Sequence, residues 1–338
     1  MVDIDWDSLG FEIKPAKKMF VSHYRNGKWD DGKIVDYGPF EIYPSACVLN
    51  YGQGIFEGMK AYRTKDNRVA MFRPHENARR LRNGCRRLCM PEIDEEFFVS
   101  SIVALLKENV EYIPPYGKGD LYIRPILFGS GQVLGVQPAE EYTFMIFMSP
   151  VGPYFKSGFK GINLEIRDDF HRAPLFGTGG IKAIGNYATS LYPKKVVAKN
   201  GFDEVLYLDA KVSTYVEEVG SANLFVYRDG IVSTPVLSGS ILPGITRDSV
   251  LRLAVEYFNI PVMERDIRYT ELFDADEVFC TGTAAIVTPI LSVSYKGEKH
   301  TINDGKPGEL TRKLYDTLRG IQLGEIEDRF GWFFEVKM

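Results

Sequence analysis

Gly177-Thr-Gly-Gly-Ile-Lys-Ala-Ile-Gly-Asn-Tyr187 is the stretch on which the reading of this chain turns. Its first six residues look like a phosphate loop, yet the glycine before the lysine and the Ser/Thr after it are both missing. What remains is one lysine, Lys182, set among Gly177, Gly179, Gly180 and Gly185, with Tyr187 five residues on. Glycines let a backbone come close to a ligand. A lysine taken alone is usually solvated, so its significance depends on what the rest of the chain puts with it.

Other chemistries drop out in turn. Gly52-Gln-Gly-Ile-Phe-Glu57 places glutamate where the third glycine of a dinucleotide fingerprint stands. His23, His75, His171 and His300 are scattered without HExxH spacing, and Cys47, Cys85, Cys89 and Cys280 form no CxxC, so no metal site is expected. No GxSxG occurs. Lys+Arg 41 against Asp+Glu 45 gives a net charge of -4, which offers nucleic acid no general attraction. With 22 Phe, 19 Tyr and 3 Trp the chain is well supplied to wall an apolar small-molecule pocket. The longest uncharged run, Val278 to Tyr295, is interrupted by Thr281, Gly282, Thr283, Thr288 and Pro289 and makes a poor membrane span. The start, Met1-Val-Asp-Ile-Asp-Trp-Asp, is acidic and lacks both a basic and an apolar leader region, which predicts a cytoplasmic protein.

A chain of 338 residues exceeds what one core ordinarily holds, so two domains are expected. Pro and Gly concentrate at Ser149-Pro-Val-Gly-Pro-Tyr-Phe-Lys-Ser-Gly158, which predicts a smaller domain over 1–152, a linker over 153–161 and a larger domain over 162–338. Tyr122–Phe128 and Tyr142–Met148 read as strands. Pro74 stands at an N1 position ahead of Ala78, Leu81, Cys85 and Leu88 at helical spacing. Asp94, Glu95 and Glu96 open a second helix with Phe98, Ile102, Leu105 and Leu106 as its apolar stripe. Farther on come a helix through about Lys199, a strand-rich run from Glu204 to Val232, a helix over Arg247–Phe258 and a last one over about Glu309–Ile321. The mixture is α+β rather than a regular βαβ alternation.

Six motifs now fall in order: Tyr51-Gly-Gln-Gly-Ile-Phe-Glu-Gly-Met-Lys60, Leu121-Tyr-Ile-Arg-Pro125, Lys182-Ala-Ile-Gly-Asn-Tyr187, Glu218-Val-Gly-Ser-Ala-Asn223, Leu242-Pro-Gly-Ile-Thr-Arg247 and Thr281-Gly-Thr-Ala-Ala285. Together they closely resemble the branched-chain amino acid aminotransferases, fold-type IV enzymes dependent on pyridoxal phosphate (PLP), from about Phe11 to the C-terminus. The resemblance implies the two-domain, D-amino acid aminotransferase-like architecture. It also implies transamination of L-leucine, L-isoleucine and L-valine with 2-oxoglutarate by a ping-pong route. D-amino acid aminotransferases and aminodeoxychorismate lyases share the fold and are the alternatives.

The same resemblance implies the site. Lys182 would carry PLP covalently and move the substrate proton, a role that suits an amine whose pKa falls on burial. Glu218 would pair with the pyridine nitrogen. Spacing alone offers Glu217 and Glu218 on opposite faces of a strand, and the family motif selects the second. Tyr187 would bond the phenolic oxygen of PLP. Ile245 and Thr246 at a helix start, with Arg80 and Thr283, would bind the phosphate. Within Arg79, Arg80, Arg82, Arg86 and Arg87, otherwise a solvated basic face, only Arg80 matches the family position. Phe11, Tyr51, Phe56, Tyr122 and Tyr154 would hold the branched side chain, while Tyr122, Ala284 and Ala285 would take the α-carboxylate. Arg124 would meet the distal carboxylate of glutamate. Leu134 and Val136 resemble a loop that closes the neighbouring subunit's pocket, implying a homodimer. Ala285 and Thr288 stand where some family members carry a CxxC redox pair, so that switch is not expected.

Overall fold

The computed structural model describes residues 4–152 and 158–338. The described residues form two compact units, one gathering 4–152, 181–185 and 320–338, the other 158–180 and 186–319. Tyr154 and the start of the expected linker lie outside the described residues. Composition assigns all of 162–338 to the second domain. Two pieces of it belong instead to the first unit, because 181–185 and 320–338 hydrogen-bond to strands there.

In the first unit, β1 (Lys18–Arg25), β2 (Lys28–Trp29) and β3 (Lys33–Asp36) precede a short helix α1 (Cys47–Tyr51). Strands β4 (Gly54–Phe56), β5 (Met59–Arg63) and β6 (Val69–Phe72) lead to helices α2 (Pro74–Arg87) and α3 (Glu95–Glu108), then β7 (Asp120–Gly129) and β8 (Tyr142–Val151). The sheet runs from the C-terminal strand Phe333–Val336 through β6, β5, β7, β8 and β1 to β2, with β3 on β1 and β4 on β7. Pro74 and the Asp94 cap, whose carboxylate accepts from the Glu96 and Phe97 amides, start the two helices where the sequence places them. Ala78, Leu81 and Cys85 of α2 and Phe98, Ile102, Leu105 and Leu106 of α3 join Leu121, Ile123, Leu127, Phe144, Ile146 and Met148 of the sheet in one core. Strand alternation along β7 puts Ile123, Pro125 and Leu127 in the interior and Tyr122, Arg124 and Ile126 on the other, partly exposed face.

The second unit contains β9 (Ile162–Arg167), α4 (Gly185–Ala188), α5 (Leu191–Lys199), β10 (Glu204–Leu208), β11 (Val216–Val219), β12 (Ala222–Arg228) and β13 (Ile231–Thr234). After these come α6 (Ile245–Glu256), β14 (Val262–Glu264), β15 (Glu277–Gly282), β16 (Ile286–Tyr295) and β17 (Glu298–Thr301). Its sheet has the order β11-β10-β9-β16-β15-β12-β13-β14, with β17 on β16. Strand β9 runs parallel to both neighbours, and most other pairs are antiparallel, which makes the unit α+β. A helix α7 (Glu309–Gln322) follows.

The helix expected through Lys199 is two helices. Thr189 Oγ1 and Ser190 Oγ donate back to the Asn186 and Tyr187 carbonyls at 3.0 and 2.7 Å, the local bonding by which Ser and Thr compete with helix continuation. Pro193, lacking an N–H, could not serve the Thr189 carbonyl in a continuous helix, but is tolerated in the first turn of a new one.

Candidate active site

Lys182 is fastened to the first unit by its backbone. Phe56 N–H donates to the Lys182 carbonyl at 3.2 Å and Ile184 N–H to the Gly54 carbonyl at 3.1 Å, so the lysine lies along β4 as an extra strand would. Its Nζ sits 4.6 Å from the centre of the Phe56 ring. Burial, and then the Arg80 charge, push the lysine pKa down to about 8, against the opposing pull of Glu57. A fraction of about a tenth is thus uncharged at pH 7.

Around this amine stand three of the expected side chains. The Arg124 guanidinium lies 4.5 Å from the centre of the same Phe56 ring and 5.2 Å from that of Tyr122, and donates to the Tyr122 hydroxyl at 3.1 Å. Phe11 meets Tyr122 edge-on at 5.3 Å between ring centres. Arg124 Nε is buried and makes no hydrogen bond among the described residues. The result is an aromatic wall with a cation over it, a surface able to take apolar and anionic groups alike. The Tyr51 hydroxyl donates to the Leu134 carbonyl. Leu134 and Val136 are 93% and 89% exposed.

Arg80 differs from the arginines beside it. Arg79, Arg82 and Arg86 form ion pairs with Glu76, Glu92 and Glu95 near the surface. Arg80 turns inward to the fully buried Glu57, with Nε and one terminal nitrogen each 2.8 Å from a carboxylate oxygen. Asn77, one turn earlier on α2, donates to the same carboxylate at 2.8 Å. Sequence reasoning gave Glu57 no role, although it stands in the first of the six motifs. The signal available was Asn77 and Arg80 at i, i+3 on a helix face, both polar and opposite an acidic residue.

The second unit carries Tyr187, Ile245, Thr246, Thr283, Ala284, Ala285 and Glu218. This carboxylate is buried on β11, ion-paired to Arg172 and bonded by Asn223 Nδ2 at 3.2 Å. Asn223 also donates to the Leu242 carbonyl at 2.9 Å, which ties Glu218 to the chain entering α6. That approach is tight: a Cβ on Gly244 would lie 2.0 Å from Asn223 Oδ1, so only glycine fits. Gly244 is the N-cap of α6 and has no side chain to cap it. Ile245 and a buried Thr246 form the first turn, where amide N–H groups and the helix dipole favour an anion. Asn223 pairs in register with Thr281, and β15 leads from there into the Thr283-Ala284-Ala285 turn, braced by Thr288 Oγ1 donating to the Ala285 carbonyl at 2.8 Å. Tyr187 lies on α4. Glu217 is buried as well, accepts from Ser240, and has its pKa raised by burial. Arg172 was not foreseen; it also donates to the Gly179 carbonyl at 3.0 Å. Gly179 in turn is held so close that a Cβ would lie 2.0 Å from the Ser240 carbonyl oxygen.

These features fit PLP. A lysine with a depressed pKa, a buried carboxylate clamped by an arginine, and a helix start with close-packed glycine are what its aldehyde, ring nitrogen and phosphate each require. The amino-transferase class IV family model matches residues 54–293. Fold and lysine together define a PLP-dependent transaminase of class IV.

The resemblance extends over nearly the whole chain. A chloroplastic branched-chain-amino-acid aminotransferase of Arabidopsis thaliana is 49% identical over 98% of this chain and 81% of its own length. A methionine aminotransferase of the same plant is 45% identical over 99% of this chain and 94% of its own. The branched-chain amino acid aminotransferase of Thermobaculum terrenum, solved in its PLP form, superposes with a TM-score of 0.80 at 25% identity, covering 96% of this chain and 99% of that one. The chain belongs to the branched-chain amino acid aminotransferase family. The cytoplasmic expectation is overturned by these comparisons: relatives that align over 98–99% of this chain are named as chloroplastic or mitochondrial proteins. Among the described residues no helix is long and apolar enough to cross a membrane.

Proposed function

We propose that this enzyme moves the amino group of L-leucine, L-isoleucine or L-valine to 2-oxoglutarate, and the reverse, by alternating two half-reactions at one site. The observation that carries the substrate class is the Arg124 guanidinium over the Phe56 and Tyr122 rings. The rings offer a branched aliphatic chain an apolar surface, and the guanidinium gives the distal carboxylate of glutamate a partner without a second pocket.

When bound, PLP supplies an electron sink for the negative charge left at the substrate Cα. Lys182 is the residue that holds the cofactor and, once displaced by substrate, carries the proton to and from Cα. Its depressed pKa serves both tasks, since only the neutral amine is a nucleophile or a base. Glu218 takes the protonated ring nitrogen. Of the two buried glutamates it is the one ion-paired to an arginine, whereas burial pushes Glu217 toward its neutral form. Tyr187 orients the cofactor's phenolic oxygen. Arg80, Ile245, Thr246 and Thr283 bind the phosphate, and Tyr122, Ala284 and Ala285 the α-carboxylate. Phe11, Phe56, Tyr51 and Tyr154 bound the side-chain pocket. The enzyme is a homodimer in which Leu134 and Val136 close the partner's pocket, a role their exposure supports. Residues 153–161 join its two domains.

The test is twofold. Purified protein with PLP should show a yellow visible band that L-leucine bleaches; a band indifferent to leucine would move the reading to D-amino acids or the lyase. Arg124→Gln should raise KM for 2-oxoglutarate at least tenfold while changing KM for leucine little, as loss of a charge-assisted bond worth about 1.5–3 kcal/mol predicts. Equal losses for both substrates would sink the assigned role of Arg124.

A further inference from the structure

Glu57 has no part in the roles assigned so far, yet it is the most completely buried charge beside the lysine. We propose that Glu57 is a positioning residue: its carboxylate aims the Arg80 guanidinium at the cofactor phosphate and stands as the counter-charge next to the Lys182 amine. The proposal rests on the reading of Arg80 as phosphate ligand and Lys182 as cofactor lysine.

Three observations support it. First, the bridge is two-point: Arg80 Nε to Oε1 and a terminal nitrogen to Oε2, both at 2.8 Å. Two parallel bonds fix the plane of a guanidinium, which a single contact does not. Secondly, the carboxylate is itself held, by Asn77 Nδ2 at 2.8 Å and the Gly58 amide at 3.2 Å, so it is a fixed anchor rather than a follower. Thirdly, Glu57 directly follows Phe56, whose amide bonds the Lys182 carbonyl, so one short stretch of chain sets the place of both cations. Burial alone would push the Glu57 carboxyl up. Arg80 first, then Lys182 and Asn77, hold it below the usual carboxylate range, so it is ionised at neutral pH.

A buried ion pair is weak evidence for stability, since an apolar pair of similar volume often does as well. Geometry is what an apolar pair cannot supply. The charged and titratable groups facing Lys182 are Arg80, Glu57, Tyr122 and Arg124, from α2, the β4–β5 connection and β7. Arg80 and Arg124 depress the lysine and Glu57 opposes them, so the carboxylate sets how far the depression goes.

The experiment compares wild type, Glu57→Gln and Arg80→Gln as full chains in two measurements. One is the ratio of affinities for PLP and for pyridoxal, which lacks the phosphate. The other is the pH midpoint of competitive acetylation of Lys182 in the PLP-free protein. For Glu57→Gln the PLP preference should fall about tenfold or more, and the midpoint should move below the wild-type value near 8. An unchanged preference with an unchanged midpoint would overturn the proposal and leave Glu57 a core filler. Arg80→Gln separates the premise from the inference: if it leaves the PLP preference intact, the phosphate role of Arg80 has failed. Its midpoint should rise, the opposite sign to Glu57→Gln. Should Glu57→Gln not fold, Glu57→Asp keeps the charge but reaches one methylene less. It should lose PLP preference at a nearly wild-type midpoint, and a wild-type preference there would overturn the two-point clamp.

Discussion

Lys182 is a partly buried lysine in a neighbourhood with two arginines, and its protonation is linked to the stability of the fold. Its pKa is about 8 in the native protein against an ordinary 10.5. Between those values the unfolded chain binds the proton more readily, so stability rises with pH across that window. Below about 8 both states are protonated and the full penalty of burying the charge is present, of order ~3 kcal/mol at most. Lys182→Met should therefore stabilise the PLP-free protein at pH 7 in urea unfolding, with the gain falling as pH rises through 8 and vanishing only above the unfolded lysine's value of 10.5. A gain independent of pH would mean the methionine packs better and that no charge penalty exists. The same variant should lose transamination by about a thousandfold or more, since nothing else at the site is both nucleophile and base. At this scale the resemblance to the family proposed Lys182, Arg80 and Glu218 as site residues. The partners that hold them, Glu57, Asn77 and Arg172, were illegible. Their importance comes from burial and from pairings across 23, 20 and 46 residues of chain, which no local pattern records.

At the scale of elements, the readable helices are those with a clear start signal or a sustained helical spacing, as in α2 with Pro74, α3 with Asp94, α6 and α7. Asp94 accepts from two amides of α3, and Asp94→Ala should cost about 1 kcal/mol, seen as a lower urea midpoint at unchanged slope. A change below a few tenths would show that Glu95 and Glu96 alone start that helix. The region from Lys182 to Lys199 was the least legible. Its spacing suits one helix, but Thr189, Ser190 and Pro193 prevent continuity, and the segment carrying Lys182 is recruited to β4 as a bridge. Tertiary pairing there outweighs local propensity, which is weak near Gly185. Strands β7 and β8 were legible because their residues are β-formers over a full ten-residue register, and their alternation placed Tyr122 and Arg124 on one face.

For the whole molecule, Leu134 and Val136 are exposed apolar residues on one loop, which Tyr51 pins by its carbonyl, and the proposed homodimer would cover them. Leu134→Asp with Val136→Asp should lower the transamination rate and shift light-scattering mass toward a monomer at low concentration. An undiminished dimer with full activity would remove this loop from the subunit contact. Composition proposes a linker at 153–161 but gives no hint that residues 320–338 return to the first unit, since a four-residue strand gives no sign of which sheet it will join. Ending the chain after Arg319 should leave β6 an unpaired edge and drive the product into the insoluble fraction. A soluble, PLP-binding product would show the closing strand to be dispensable.

That closing strand also sets a clock. During synthesis β6 leaves the ribosome some 261 residues before Phe333, the first residue to pair with it. At about 5–20 residues per second this amounts to roughly 13–50 seconds in which the first sheet has an open edge and no means of closing it. The half of the protein made first is thus completed last, and a nascent chain that stalls anywhere in the second half presents a sticky, unfinished sheet.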